Sequence, residues 1–284
     1  MADYLHSIET NNYNEVEYAV LAAVKENFAD MQPFLTAGRM RKLADAISLT
    51  CSTSTADEPY DLKYVVHLLW GVIIDIASVV PHHQPWHDRL VGSLILLRQR
   101  GEIESAGEEG LSWQDLPGFG MAMTEQWNDP TFISKDTTAA DGPTFTAFRH
   151  WENLNSFTAK LSEQGFRPWK VLPIWQLRTA LEEPLEGRLV MHCRLWVAAE
   201  WLTRCADLLY RESRSTDALD EATAQALRPG TLYVDIQPLS LRRWEFWKSL
   251  IEVILEQSAE IGYESAVVER LRQAHERMTE AEPR

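Results

Sequence analysis

The stretch DLKYVVHLLWGVIIDIASVV (61–80) decides the fold class. Its apolar residues cover most of a helical circumference and leave one narrow stripe of Lys63, His67, Gly71, Asp75 and Ser78. A helix that is apolar almost all round belongs at the centre of a packed core. The apolar part, 65–80, is shorter than the roughly 20 residues a membrane span needs, and it carries His67 and Asp75. A buried helix is therefore expected.

Helical spacing continues on both sides. Val16, Ala19, Val20, Ala23, Val24 and Phe28 recur at three- and four-residue steps behind the capping candidate Asn14, which predicts a helix over 14–30. Pro33 opens a second, with Leu35, Met40, Leu43, Ala44 and Ile47 on its apolar face, before the turn CSTSTADEP (51–59). After Pro81, Pro85 starts a helix over 85–100 that Gly101 ends. Further helices are expected at 144–164, 173–183, 185–212, 239–261 and 263–281. The run TLYVDIQP (231–238) is strand-like, but no other segment offers it a partner. The fold class is thus all-α, a single multi-helix bundle domain over 1–284 with about nine helices. Residues 101–143 hold many helix breakers and form one long connection, a possible lid, with at most a short helix near 119–127 besides those nine, and its Trp113, Leu116, Phe119, Met121 and Trp127 favour packing onto the body.

Composition narrows the function. The 284 residues are 45% hydrophobic and 24% charged, and 27 Lys+Arg against 42 Asp+Glu leave a net charge of −15. Such a surface repels phosphate backbones and anionic lipid, so neither nucleic acid nor a membrane is an expected partner. Cys193 and Cys205 fall on one predicted helix, roughly 18 Å apart at 1.5 Å per residue, and cannot pair. Together with the lone Cys51 and an amino terminus without a secretion pattern, this points to a reducing, cytoplasmic setting. The 11 tryptophans are spread over several segments, as core residues would be, and do not form a stacking strip.

Nucleotide-binding glycine loops, HExxH, GxSxG and paired CxxC patterns do not occur. HHQPWH gives His83 and His87 the four-residue spacing of two metal ligands on a helix. The prolines at 81 and 85 instead place His82 and His83 in a turn, without a suitable carboxylate or cysteine nearby, so exposed turn histidines and no metal are expected. His67 and Asp75 share the polar stripe of 61–80, which reads either as a helix-contact strip or as a pocket wall; in a pocket, a desolvated Asp75 would have a raised pKa suited to proton transfer. Arg178 with Glu182, and Glu200 with Arg204, are four apart and can pair along their helices. Arg39–Arg41–Lys42 and Arg242–Arg243 read as solvated faces.

Four segments occur in a characteristic order: SWQDLPGFGMAMTEQWN (112–128), WENLNSF (151–157), PIWQLRTALE (173–182) and LWVAAEWLTRCADLLY (195–210). They resemble a fungal domain-of-unknown-function family with a W-x-N-L-N-x-F … I-W-x-L-R-x-A-L-E pattern. The resemblance implies a helical, cytosolic protein associated with specialised-metabolite pathways and supplies no catalytic residues. It motivates the leading expectation, a cofactor-independent cyclase or isomerase that encloses an apolar small molecule between tryptophan-rich helices. Trp70, Trp175, Trp196, Trp201 and Arg204 would hold the substrate, and Asp75, His67, Arg178 and Glu200 would polarise it. The rival is a non-enzymatic helical interaction or regulatory protein with an open concave surface. An enclosed cavity distinguishes the two.

Overall fold

A computed structural model describes residues 2–28, 36–54, 61–103, 111–133, 142–166, 169–235 and 237–283. Among them run twelve α-helices: α1 (Ala2–Glu9), α2 (Glu15–Phe28), α3 (Thr36–Ser54), α4 (Leu62–Val79), α5 (Pro85–Arg98), α6 (Phe119–Glu125), α7 (Pro143–Glu163), α8 (Leu172–Leu181), α9 (Arg188–Arg214), α10 (Glu221–Ala226), α11 (Leu241–Ile261) and α12 (Ser265–Ala281). The fold is all-α, as the periodicity predicts. Two short helices, α1 and α10, exceed the expected set because neither is long enough to show a periodic face. The strand-like run 231–238 is not a strand in its described residues: Gly230 to Tyr233 makes a turn, and the ladder-type pairing present is one isolated bridge, Glu102 with Ser112. Pro33 and Leu35 lie outside the described residues, as do 104–110 and 134–141 of the long connection.

The chain divides into two compact units, Met1–Asn128 with Arg149–Phe157, and Asp129–Phe148 with Thr158–Arg284. In the first, α4 is central. Asp61 caps it by accepting from the Lys63 amide, and α1, α2, α3 and α6 pack around it. By length and composition α4 would suffice to cross a membrane, yet 61% of it is buried inside the protein. Trp70 has no solvent contact: its Nε1 donates to the Pro117 carbonyl at 2.7 Å, and its ring meets Trp113 and Phe119 edge-on at 6.0 and 5.0 Å. That grip holds Leu116 in a left-handed conformation (φ 43°, ψ 68°), costly for a residue with a branched side chain, and delivers the chain to Gly118 and α6. Trp113, Leu116 and Phe119 of the long connection are therefore buried, as expected, whereas Met121 is 61% exposed because it lies on the outer side of α6.

The second unit is organised on α9, against which α8, α11 and α12 pack. Its helical dihedrals break at Cys205 (φ −121°, ψ 17°), so α9 is kinked between Trp201 and Leu208. Gly187 with φ 81° starts the helix and Gly262 with φ 73° ends α11, both in conformations that suit glycine.

Replacing Trp70 by Ala removes a fully buried indole and the tie to Pro117. It should cost about 3–5 kcal/mol in urea unfolding, whereas Lys63→Ala on the exposed side of α4 should stay within about 0.5 kcal/mol.

Candidate functional site

Trp169, Trp201 and a wall of leucines enclose a cavity of about 270 Å³ in the second unit. Pro173 fixes the first turn of α8 and, with Ile174, forms one side. Trp201 and, beyond the kink, Leu208, Leu209 and Glu212 supply α9's side. Thr223 and Leu227 come from α10 and its C-terminal end, and Leu219 and Leu239 from the segments flanking it. Lys170 and Glu212 bring charge, and Ser162 and Thr223 bring hydroxyls, to a lining that is otherwise apolar. The volume lies just below the roughly 300–1,000 Å³ of ordinary ligand pockets and well above the roughly 150 Å³ that admits benzene, so a compact ligand fits.

What holds α10 in place is a charged cluster with no solvent contact. Glu182 and Arg243 are both fully buried. Glu182 Oε1 accepts from Arg243 Nε at 2.6 Å and from Trp247 Nε1 at 2.6 Å, and Oε2 accepts from Arg243 Nη2 at 3.0 Å and the Gly230 amide at 2.7 Å. Arg243 Nη1 donates to the carbonyls of Leu227, at 2.7 Å, and Pro238. Gly230 passes so close to Glu182 that a Cβ there would sit 2.5 Å from the Glu182 carbonyl oxygen. Trp175 and Arg178 add to the same clamp from the α8 surface: Trp175 Nε1 donates to the Ala226 carbonyl at 2.8 Å, and Arg178 Nη1 to Arg228's at 3.2 Å. The carbonyls at the C-terminal end of α10 are thus bound by an indole and two guanidiniums, the charge sign that end of a helix favours.

This corrects three sequence expectations. Arg178 does not bridge to Glu182; the carboxylate near it is Glu183, at 3.6 Å, and burial lowers the Arg178 pKa against that attraction. Arg243 is no solvated side chain but sits in the core, while its neighbour Arg242 is 83% exposed. His87 is buried rather than exposed, with Nε2 3.1 Å from the Asn153 carbonyl oxygen, and Asn153 Oδ1 accepts from the His82 amide at 2.9 Å. Of the three histidines His83 alone is exposed. Among the described residues no group of three or more His, Cys, Asp or Glu is arranged to hold a metal ion.

The remaining candidates fall into separate settings. Glu200, without solvent contact, pairs with Arg204 Nε at 3.2 Å and with Arg270 Nη1 at 3.0 Å, and Arg270 also stacks over Trp196 at 5.2 Å. Burial pulls the Arg204 guanidinium down, but the carboxylates of Glu200 and Glu163 outweigh it and leave its pKa raised. In the first unit, Asp75 accepts from the Tyr13 hydroxyl at 2.5 Å and from Asn11 Nδ2 at 3.4 Å. His67, two turns away on the same helix, lies 3.6 Å from Glu125, both well exposed. Trp201 is the one residue of the predicted set that lines the cavity. Glu182, Arg243 and Trp247 were missed as a cluster; the available signal was Arg243 and Trp247 four apart on the α11 face that also carries Trp244 and Ile251.

A family model described as "Protein of unknown function (DUF3632)" matches residues 70–250. The chain belongs to this family. The matched span contains every residue lining the cavity and the whole Glu182 cluster. No curated protein and no solved structure matches the chain.

Two outcomes follow from the buried charges. Glu182→Gln leaves Arg243 without its counter-ion and should lower stability by about 3–5 kcal/mol, while an apolar pair, Glu182→Leu with Arg243→Met, should recover a good part of that loss in the same unfolding assay. Burial raises the Asp75 pKa above its ordinary 3.8, against the donors Tyr13 and Asn11. Between 3.8 and the folded-state value the native protein holds more protons than the unfolded chain, so this group's contribution is fully present below 3.8 and is lost as pH rises through the folded-state pKa. Asp75→Asn should flatten that decline and be the more stable protein at pH 7.

Proposed function

We propose that the protein binds a compact, predominantly apolar molecule in the Trp169–Trp201 cavity. The observation that carries this reading is the cavity itself. Protein interiors pack to crystal-like density with few voids larger than a water molecule, and here about 270 Å³ stays open between two indoles and several leucines. Aromatic walls with a small number of polar groups are the usual make-up of a small-molecule site.

The expected cofactor-independent cyclisation or isomerisation is a finer form of the same proposal. In this cavity it would fall to Glu212, half-buried on α9, and the exposed Lys170, the ionisable side chains of the lining. Asp75 and His67 belong to the other unit, and Arg178 and Glu200 are taken up by carbonyls and guanidiniums. The resemblance to a fungal family associated with specialised metabolism supports a cytoplasmic ligand of that chemical kind, an apolar intermediate with few polar groups.

Octanol is a suitable first probe. Isothermal titration should show saturable binding to the full chain, and Leu208→Trp, which fills the cavity from a half-buried position, should weaken it at least tenfold with the melting temperature little changed. Absence of saturable binding, or equal affinity in the filled variant, would overturn the proposal.

A further inference from the structure

Leu219, Thr223, Leu227 and Leu239 of the cavity wall come from residues 215–240, the stretch between α9 and α11. The two halves of this stretch are anchored very differently. From Ala226 onward the backbone is bound to the body. Trp175 and Arg178 donate to the carbonyls of Ala226 and Arg228, Arg243 donates to those of Leu227 and Pro238, and Glu182 accepts from the amides of Gly230 and Leu232.

The preceding residues have no such tether. Among the described residues, every hydrogen bond made from Thr216 to Gln225 stays within four positions along the chain, and no ion pair leaves this stretch. The helix α10 has no buried residue, and 214–222 are exposed throughout. What joins it to the body is the contact of Leu219 and Thr223 with the cavity, and Leu219 is itself 40% exposed. A segment with few buried apolar contacts belongs to the low-stability end of a fold, from which active-site lids are drawn.

The other walls are not free to part. Pro173 and Ile174 of α8, and Trp201, Leu208 and Leu209 of α9, belong to helices that pack on each other and on α11. Room for movement lies on the outer side of the loose stretch. Thr216, Asp217, Leu219 and Ala224 border an open groove of about 700 Å³, so the stretch has the cavity on one side and unfilled volume on the other.

We propose that residues 216–225 are the lid of the cavity. They swing outward about two fixed roots, Ser213 at the end of α9 and Leu227 beneath Arg243, both buried, and close over the ligand with Leu219 and Thr223. This rests on the cavity reading above and adds how the site is entered and left.

8-Bromo-1-octanol is a suitable probe, because bromine quenches a nearby indole and Trp169 and Trp201 line the cavity. Stopped-flow fluorescence on the full chain reads its association and dissociation. Asp220→Ala removes the cap of α10, which accepts from the Thr223 amide and hydroxyl, and disturbs no bond outside the lid. Weakening the closed lid alike in empty and occupied protein accelerates entry and exit by the same factor. Both rates should therefore rise by about threefold or more, with the dissociation constant and the melting temperature unchanged. Asp220→Asn, an equally good cap, should keep the rates of the unaltered protein. An association rate that Asp220→Ala leaves unchanged, whatever happens to affinity, would make the stretch a fixed wall and overturn the lid while leaving the cavity reading intact. Failure of the probe to bind the unaltered protein would instead overturn the cavity reading, and the lid with it.

Discussion

Glu182 and Arg243 form an ion pair from which water is wholly excluded. Taking each charge out of water costs several kcal/mol, and such a pair holds only when its remaining hydrogen-bonding capacity is met. Here that condition is satisfied. Each carboxylate oxygen has two donors, and the guanidinium reaches two backbone carbonyls besides its partner while lying 5.3 Å from the Trp247 ring. The pair therefore contributes geometry more than net stability. Among the described residues of 227–240 there is no helix, and Glu182, Arg243 and Arg178 supply hydrogen bonds that fix them.

The cavity depends on that geometry. Leu227 and Leu239, near the two ends of the tethered segment, are both walls of it. The carbonyls of Leu227 and Pro238 are the ones Arg243 holds, so the positions of these leucines follow from a side chain on a different helix. On the opposite side, the break in α9 at Cys205 separates Trp201 from Leu208 and Leu209. A straight helix would keep those residues in the regular register of one face; the kink re-aims the second set. Charged residues elsewhere in the unit serve as similar posts: Glu200 ties α9 to α12 through Arg270. This explains why charge pairs that attract attention in the sequence stand outside the cavity. Glu200 faces Arg204 and Arg270, and Arg178 faces backbone carbonyls beyond α10, so none of them points into it.

Much of the architecture is legible in the chain because its causes are local. Asp61 before a run of apolar residues, proline at 85 and 173, and glycine at 187 and 262 each act within one helical turn, and the helices begin and end close to them. The Trp201 indole also follows from periodicity, since it falls on the buried face of α9. What the sequence conceals is pairing across distance. Glu182 and Arg243 are separated by 61 positions, and the helix-neighbour rule offers Arg178 as the obvious partner for Glu182 when the true one is on α11. His87 was hidden for the same reason, because Asn153 lies 66 positions away. TLYVDIQP has the residue types of a strand, but β-structure needs a second edge, and tethering by Glu182 and Arg243 decides its conformation instead.

Because the same segment is held by the ion pair and lines the cavity, the two are thermodynamically linked. A ligand that touches Leu227 and Leu239 favours the arrangement that Arg243 also favours, and each adds to the population of that arrangement. Loosening the clamp would then reduce apparent affinity even though none of its residues touches the ligand, in proportion to the fraction of molecules that keep the walls in place. The converse holds as well: an occupied cavity stabilises the native state by an amount set by ligand concentration over its dissociation constant, and it should do so most visibly in proteins whose clamp has been weakened. Under the proposed binding function, a cluster that does not line the cavity would in this way govern affinity.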